Sequence, residues 1–249
     1  MAILALLMTH WTVSVFFQSS FHHRYASHRM FTMSRVTERI FFLLAWIAQG
    51  SSYLSPRAYA ILHREHHAFS DTPKDPHSPV VFRNPFTMMW NTAKLYTAHF
   101  EWTSNPEPRF LGNYPEWPTL DRIGSSWPSR AAFGAGYFLL YWWLATAWWQ
   151  FLFLPIHFVM GPAQGAIVNW CGHRYGYRNF TTRDASRNSL PFDFITMGEL
   201  FQNNHHRASG RLNFAAKPFE FDPTYAVLRV LAWMRIIRFA QADEMQAAA

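Results

Sequence analysis

The sequence predicts an all-α integral membrane protein: three or four transmembrane helices, interfacial helices and a cytoplasmic helical cap around a histidine-rich site. Three observations predict it. In 249 residues, hydrophobic side chains make up 50% and aromatics 18%, while charged residues are only 15%, against a usual share of about 25%. No Asp, Glu, Lys or Arg occurs between Arg130 and Arg174. Thirteen histidines are present, most of them in four short segments.

The charge balance and the cysteine count narrow the class further. Lys+Arg minus Asp+Glu is 22 − 15 = +7. A soluble nucleic-acid binder with that excess would carry more charge overall and fewer aromatics, so no nucleic-acid partner is expected. Basic flanks around membrane helices fit better. Cys171 is the single cysteine. It excludes an intramolecular disulfide framework, a Cys-rich zinc site and a Cys-held iron–sulfur cluster.

The first span is expected at about residues 1–20. MAILALLMTHWTVSVFF is apolar and no charge precedes Arg24. It lacks the basic start and small-residue cleavage site of a signal peptide, so it reads as a mature helix. Residues 40–54 are apolar but too short to cross, and Gly50-Ser51-Ser52 interrupts them; an interfacial or buried segment is expected. The uncharged run after Arg130 is too long for one crossing of about 20 residues and suits two. It predicts a hairpin with spans at 131–149 and 153–171 and a turn near 150–155. Arg130 and Arg174 then emerge on one side, which the positive-inside rule makes cytoplasmic. Residues 21–130 and 172–249 form the cytoplasmic parts of a single domain covering 1–249. In YAVLRVLAWMRIIRF, Arg229, Arg235 and Arg238 recur among apolar residues at roughly helical spacing. That predicts a surface helix, packed on its own domain or against the membrane. The tail QADEMQAAA is expected to fray.

The histidines carry the chemistry. In HREHH, His63, His66 and His67 stand at i, i+3 and i+4, one face of a helix. Gln202, His205 and His206 repeat the spacing, and Asn169 and His173 are at i, i+4. Imidazole ligates iron, copper and zinc, and three imidazoles on one face crowd polar groups unless something binds them. His23 and His28, five apart, lie about 140° apart on an ideal α-helix, so a bend must bring them together. The isolated His10, His99 and His157 read as ordinary hydrogen-bonded histidines, and His22 lies outside the spacing. Topology adds a test. All four clusters share one side of the membrane only if residues 40–54 do not cross it.

Taken in order, HRYASHR (22, then 23–29), HREHH (63–67), DTPKDPHSP (71–79), Asn169-x3-His173 and NNHH (203–206) resemble the boxes of the membrane fatty acid desaturase family, most closely acyl-CoA desaturases of the stearoyl-CoA, delta-9 type. The resemblance covers roughly residues 20–225. It implies a di-iron centre facing the cytoplasm, in a bacterial inner membrane or the endoplasmic reticulum. It implies His23, His28, His63, His66, His67, His173, His205 and His206 as iron ligands, and Asn169 as a ligand through water. Asp75 and His77 match a segment that supports the ligands. The reaction implied is oxygen-dependent desaturation of a fatty acyl chain carried by coenzyme A, acyl carrier protein or a lipid. A di-iron hydroxylase or ketolase is the alternative with the same boxes. Gln202 departs from the acyl-CoA desaturases, which have histidine there. It is expected either as a weak or water-mediated ligand or as a hydrogen-bonding neighbour of one. The acyl chain needs an apolar tunnel, for which the many aromatics are suitable. No Gly-rich dinucleotide fingerprint is present, so electrons are expected from a separate ferredoxin, rubredoxin or b-type cytochrome system.

Overall fold

A computed structural model describes residues 1–240; the expected frayed tail at 241–249 lies outside them. The chain is mostly helical. α1 (Ala2–Phe17) continues without a break into a π-helix, Gln18–Ser27, so that one rod of 26 residues runs from Ala2 to Ser27. The π segment answers the spacing problem of His23 and His28. Its i→i+5 bonds, such as His28 N–H to His23 O at 3.3 Å, stack residues five apart on one side.

β1 (Phe31–Met33) leads into α2 (Arg35–Gln49), which Ser34 caps by accepting the Thr37 N–H. α2 buries Phe41, Phe42, Ala45 and Ala48 and leaves Val36, Ile40, Leu43, Leu44 and Ile47 exposed. It is therefore apolar on both faces, one packed on the π segment and α1 and one unpartnered. The chain turns at Gly50, whose φ of +53° suits glycine; a Cβ there would also lie 1.8 Å from the Tyr137 hydroxyl. α3 (Pro56–Phe69) carries HREHH and packs against the π segment, and α4 (Pro85–Phe100) packs on α3. α5 (Pro118–Gly124) precedes α6 (Trp127–Leu144).

The expected hairpin is built differently. α6 starts and ends earlier than the 131–149 span. Residues 148–153 form a 3₁₀ turn, α7 covers only Leu154–His157, and α8 (Met160–Gly172) is bent from that segment by 71°. By length and apolarity, one helix among the described residues can cross a membrane, Ala2–Ser27. The bent pair 148–157 and 160–172 would make two if it counts as one span. α6 misses because Arg130, two tyrosines and three tryptophans dilute its hydropathy.

After a long loop come α9 (Gln202–Arg207) and α10 (Pro223–Trp233). The C-terminal helix ends sooner than predicted, and the fold is not purely helical. Beyond Arg235, at φ +59°, β2 (Ile237–Phe239) pairs antiparallel with β1. Ile237 is buried and Arg238 exposed, a two-residue alternation that a strand satisfies. The main core lies between the π segment, α2, the ribbon and α10, with Phe21, Phe31, Phe42, Phe214 and Leu228 at its centre.

Candidate metal centre

Four elements bring the histidine boxes together. The π-helix presents His23 and His28, α3 presents His63, His66 and His67, the end of α8 presents His173, and α9 presents His205 and His206. Their nitrogens form two groups, each with all donor atoms within 4.8 Å: His23, His28, His63, His67 and His205 in one, and His66, His173 and His206 in the other. The groups touch, with the His67 and His206 rings 4.6 Å apart.

The protonation pattern points inward. Nδ1 of His66 donates to Asp75 at 2.9 Å, that of His173 to Asp71 at 2.9 Å and that of His206 to Asp184 at 2.6 Å. His23 is held in the same way by Glu199. A proton fixed on Nδ1 leaves the Nε2 lone pair free. Nε2 of His66, His173 and His206 is buried with no hydrogen-bond partner among the described residues. In the other group, Nε2 meets Nε2: His28 to His63 at 2.8 Å, His23 to His205 at 3.0 Å, His67 to His205 at 2.9 Å. Five such nitrogens cannot satisfy one another as donors and acceptors, but a cation between them would. Imidazole donors backed by carboxylates fit iron.

Electrostatics keep the set ready for a metal. Burial, followed by neighbouring histidines, holds His28, His63, His67 and His205 well below the usual imidazole range. His206 is lowered to about 4, chiefly by burial. Neutral imidazole is the ligating form. Burial also pulls on His66, but Asp75 outweighs it and raises the pKa. Burial pushes the Asp75 and Asp184 carboxyls up, and their histidine partners override it and hold both below the usual range.

The remaining predicted residues surround these groups. Asn169 and Gln202 both line a cavity of about 350 Å³ beside the imidazoles. The Gln202 amide nitrogen donates to the Glu199 carbonyl at 2.7 Å, and Gly172 leaves room for its side chain, since a Cβ there would sit 2.4 Å from Gln202 Cγ. Asp75 grips His66 and accepts from the backbone of Asp71 and His77. His77 lies with its ring 4.5 Å from His66. The isolated histidines have local partners: His10 with His157, His157 with Tyr141, His99 with Glu65 and Ser104.

Sequence reasoning missed Asp71, Asp184 and Glu199. Asp71 stands four residues before Asp75 and Glu199 three before Gln202, so a search for carboxylates flanking each box would have found both; Asp184 has no such signal. It also missed Arg24. That guanidinium is fully buried, donates to Glu199 at 2.8 Å and Asp222 at 2.7 Å, and lies 3.9 Å over the Phe214 ring. It locks the first box to the loop before the last one.

The sequence profile of the fatty acid desaturase family matches residues 1–214. Among individual proteins, the chain is 28% identical to a hex-5-enoyl-acyl-carrier-protein acetylenase of Moorena producens, over 90% of this chain and 72% of that protein. It is 26% identical to an sn-1 stearoyl-lipid 9-desaturase of Synechocystis, over 87% and 64%. It is 25% identical to an acyl-CoA 5-desaturase of Anemone leveillei, over 86% and 63%. The chain thus spans between three fifths and three quarters of the length of these relatives. With box order, donor geometry and a family match over most of its length, the chain belongs to the fatty acid desaturase family, membrane-associated oxidoreductases of fatty acyl chains.

Proposed function

We propose that this chain forms one desaturase domain that introduces a double bond into a fatty acyl chain at a di-iron centre. The observation that carries the reading is the convergence of eight imidazoles, five of the histidines buried and three half-buried, with Nδ1 of four on a carboxylate. His23, His28, His63, His67 and His205 would hold one iron. His66, His173 and His206 would hold the other, with Asn169 acting through water and Gln202 as a weak oxygen donor or neighbour. An unactivated C–H bond has no acidic proton for a base to take; bound iron supplies, with dioxygen, the oxidising power to break it.

The protein's own residues do the rest. Asp71, Asp75, Asp184 and Glu199 orient the imidazoles, burial excludes water, and the adjoining cavity aligns the acyl chain. In balance, the chain gives up two hydrogens and a separate donor gives two electrons, and dioxygen with two further protons leaves as two waters. A ferredoxin, a rubredoxin or a b-type cytochrome system would be that donor, and coenzyme A, acyl carrier protein or a lipid would carry the acyl group. The three-span arrangement with a cytoplasmic centre is part of the same proposal. Family and relatives favour desaturation over the hydroxylase or ketolase alternative. Expression in a host lacking the product, followed by fatty-acid profiling, should show new double bonds. They should vanish in His66→Ala and His205→Ala while both variants still insert; only hydroxylated or keto products would overturn the reading.

A further inference from the structure

The cavity beside the imidazoles is only partly the apolar tunnel that a hydrocarbon chain requires. One face of each of the π segment, α3, α4 and α8 lines it. Leu54, Leu62, Met89 and Val168 supply apolar wall. Polar side chains interrupt it, among them two glutamines besides Gln202. Gln18 is 3% exposed and Gln164 2% exposed. The Gln18 amide nitrogen donates to the Gly161 carbonyl at 3.2 Å, which fixes the other end of the amide as oxygen. That oxygen is buried with no partner among the described residues. Gln164 is on the same face of α8 as Gly161, one turn along, and its buried side-chain oxygen has no partner either. Its amide nitrogen makes no hydrogen bond among the described residues.

Gln18 sits close to the metal donors. Gln18 precedes His23 by five residues, one turn of the π-helix, and both line the cavity. A buried carbonyl left without a donor is destabilising, and a saturated methylene chain has no donor to offer. A hydroxyl has one, and its oxygen can also accept the free Gln164 N–H.

We infer that the acyl chain accepted by this cavity carries a hydroxyl group close to the carbons that react, held between Gln18 and Gln164. This rests on the desaturase reading above and narrows its substrate class. Other polar side chains line the cavity too, but Thr92, Tyr96 and Arg130 already have partners of their own, so recognition of a hydroxyl falls to the two amides whose oxygens do not. A site built to hydrogen-bond a hydroxyl discriminates against the analogue that lacks it, because its own polar groups are then left unpaired.

The test compares stearic acid with a series of monohydroxystearic acids whose hydroxyl is moved along the chain. Each is fed to a desaturase-deficient bacterial host expressing the full chain, and products are read by gas chromatography and mass spectrometry. One or two adjacent hydroxyl positions should be converted at least ~10-fold better than stearate, the discrimination expected of two hydrogen bonds. The double variant Gln18→Leu, Gln164→Leu should lower that ratio about 10-fold. If the variant does not insert, the wild-type ratio decides alone. A second readout needs no turnover: the favoured hydroxystearate should raise the melting temperature of the purified iron-loaded protein more than stearate does. Equal conversion and equal stabilisation would mean that ordered water satisfies the two amides, and would overturn the inference while leaving desaturation intact. Conversion of neither class by protein with both irons would instead overturn the desaturase reading, and the inference with it.

Discussion

Gln202 is the residue at which the chain departs from its own histidine pattern. It shares α9 with His205 and His206, is 2% exposed, and lines the cavity with its amide nitrogen tied to the Glu199 carbonyl. Its oxygen is thereby left as the only end that can serve the metal or a water on it. Gln202→Ala should lower activity by at least ~10-fold, as losses next to metal ligands do, and Gln202→His should keep iron and part of the activity. Full activity in Gln202→Ala would place the residue outside the site. Arg24 makes a different prediction at the same scale. Removing it leaves Glu199 and Asp222 buried without their cation, which costs about 3–5 kcal/mol for a buried pair. Arg24→Met should therefore lower the melting temperature sharply, whatever the metal content; an unchanged melting curve would show that the two carboxylates find other partners.

At the scale of elements, the sequence disclosed some features and concealed others for identifiable reasons. HREHH and Gln202-x2-His205-His206 could be read directly, because i, i+3, i+4 is a face on any α-helix. His23 and His28 could not be resolved, because five-residue spacing has no face on an α-helix, and the π segment that creates one has no sequence signature to search for. The β1–β2 ribbon was hidden because three-residue strands at distant ends of the chain are too short for periodicity to show. The hairpin boundaries slipped because an uncharged run says where charge is absent, not where a helix bends. Residues 40–54 were read as interfacial or buried; residues 40–49 lie on α2, with one face packed and the other exposed, and the turn at 50–52 follows. With a native Cys171→Ser background, cysteines at Lys74 and Ala208 should both label from the cytoplasmic side, whereas Leu44→Cys should resist water-soluble reagent from either side. Labelling of Lys74→Cys and Ala208→Cys from opposite sides would mean that α2 crosses the membrane, and a single shared centre could not form as proposed.

Over the whole molecule, the fold draws four distant histidine segments to one place and surrounds them with carboxylates the sequence did not announce. Asp71 and Glu199 stand beside the boxes and could have been found by a search for flanking carboxylates, whereas Asp184 was invisible because its pairing with His206 depends on a loop whose path no local pattern gives. The imidazoles themselves were legible, since crowding eight of them without a cation is costly. The measurement that tests the account most directly is metal content with Mössbauer spectroscopy on protein purified from active membranes. About two irons per chain in nitrogen-rich surroundings are predicted, lost together in His66→Ala or His205→Ala. Zinc alone, or a single iron in fully active protein, would contradict it.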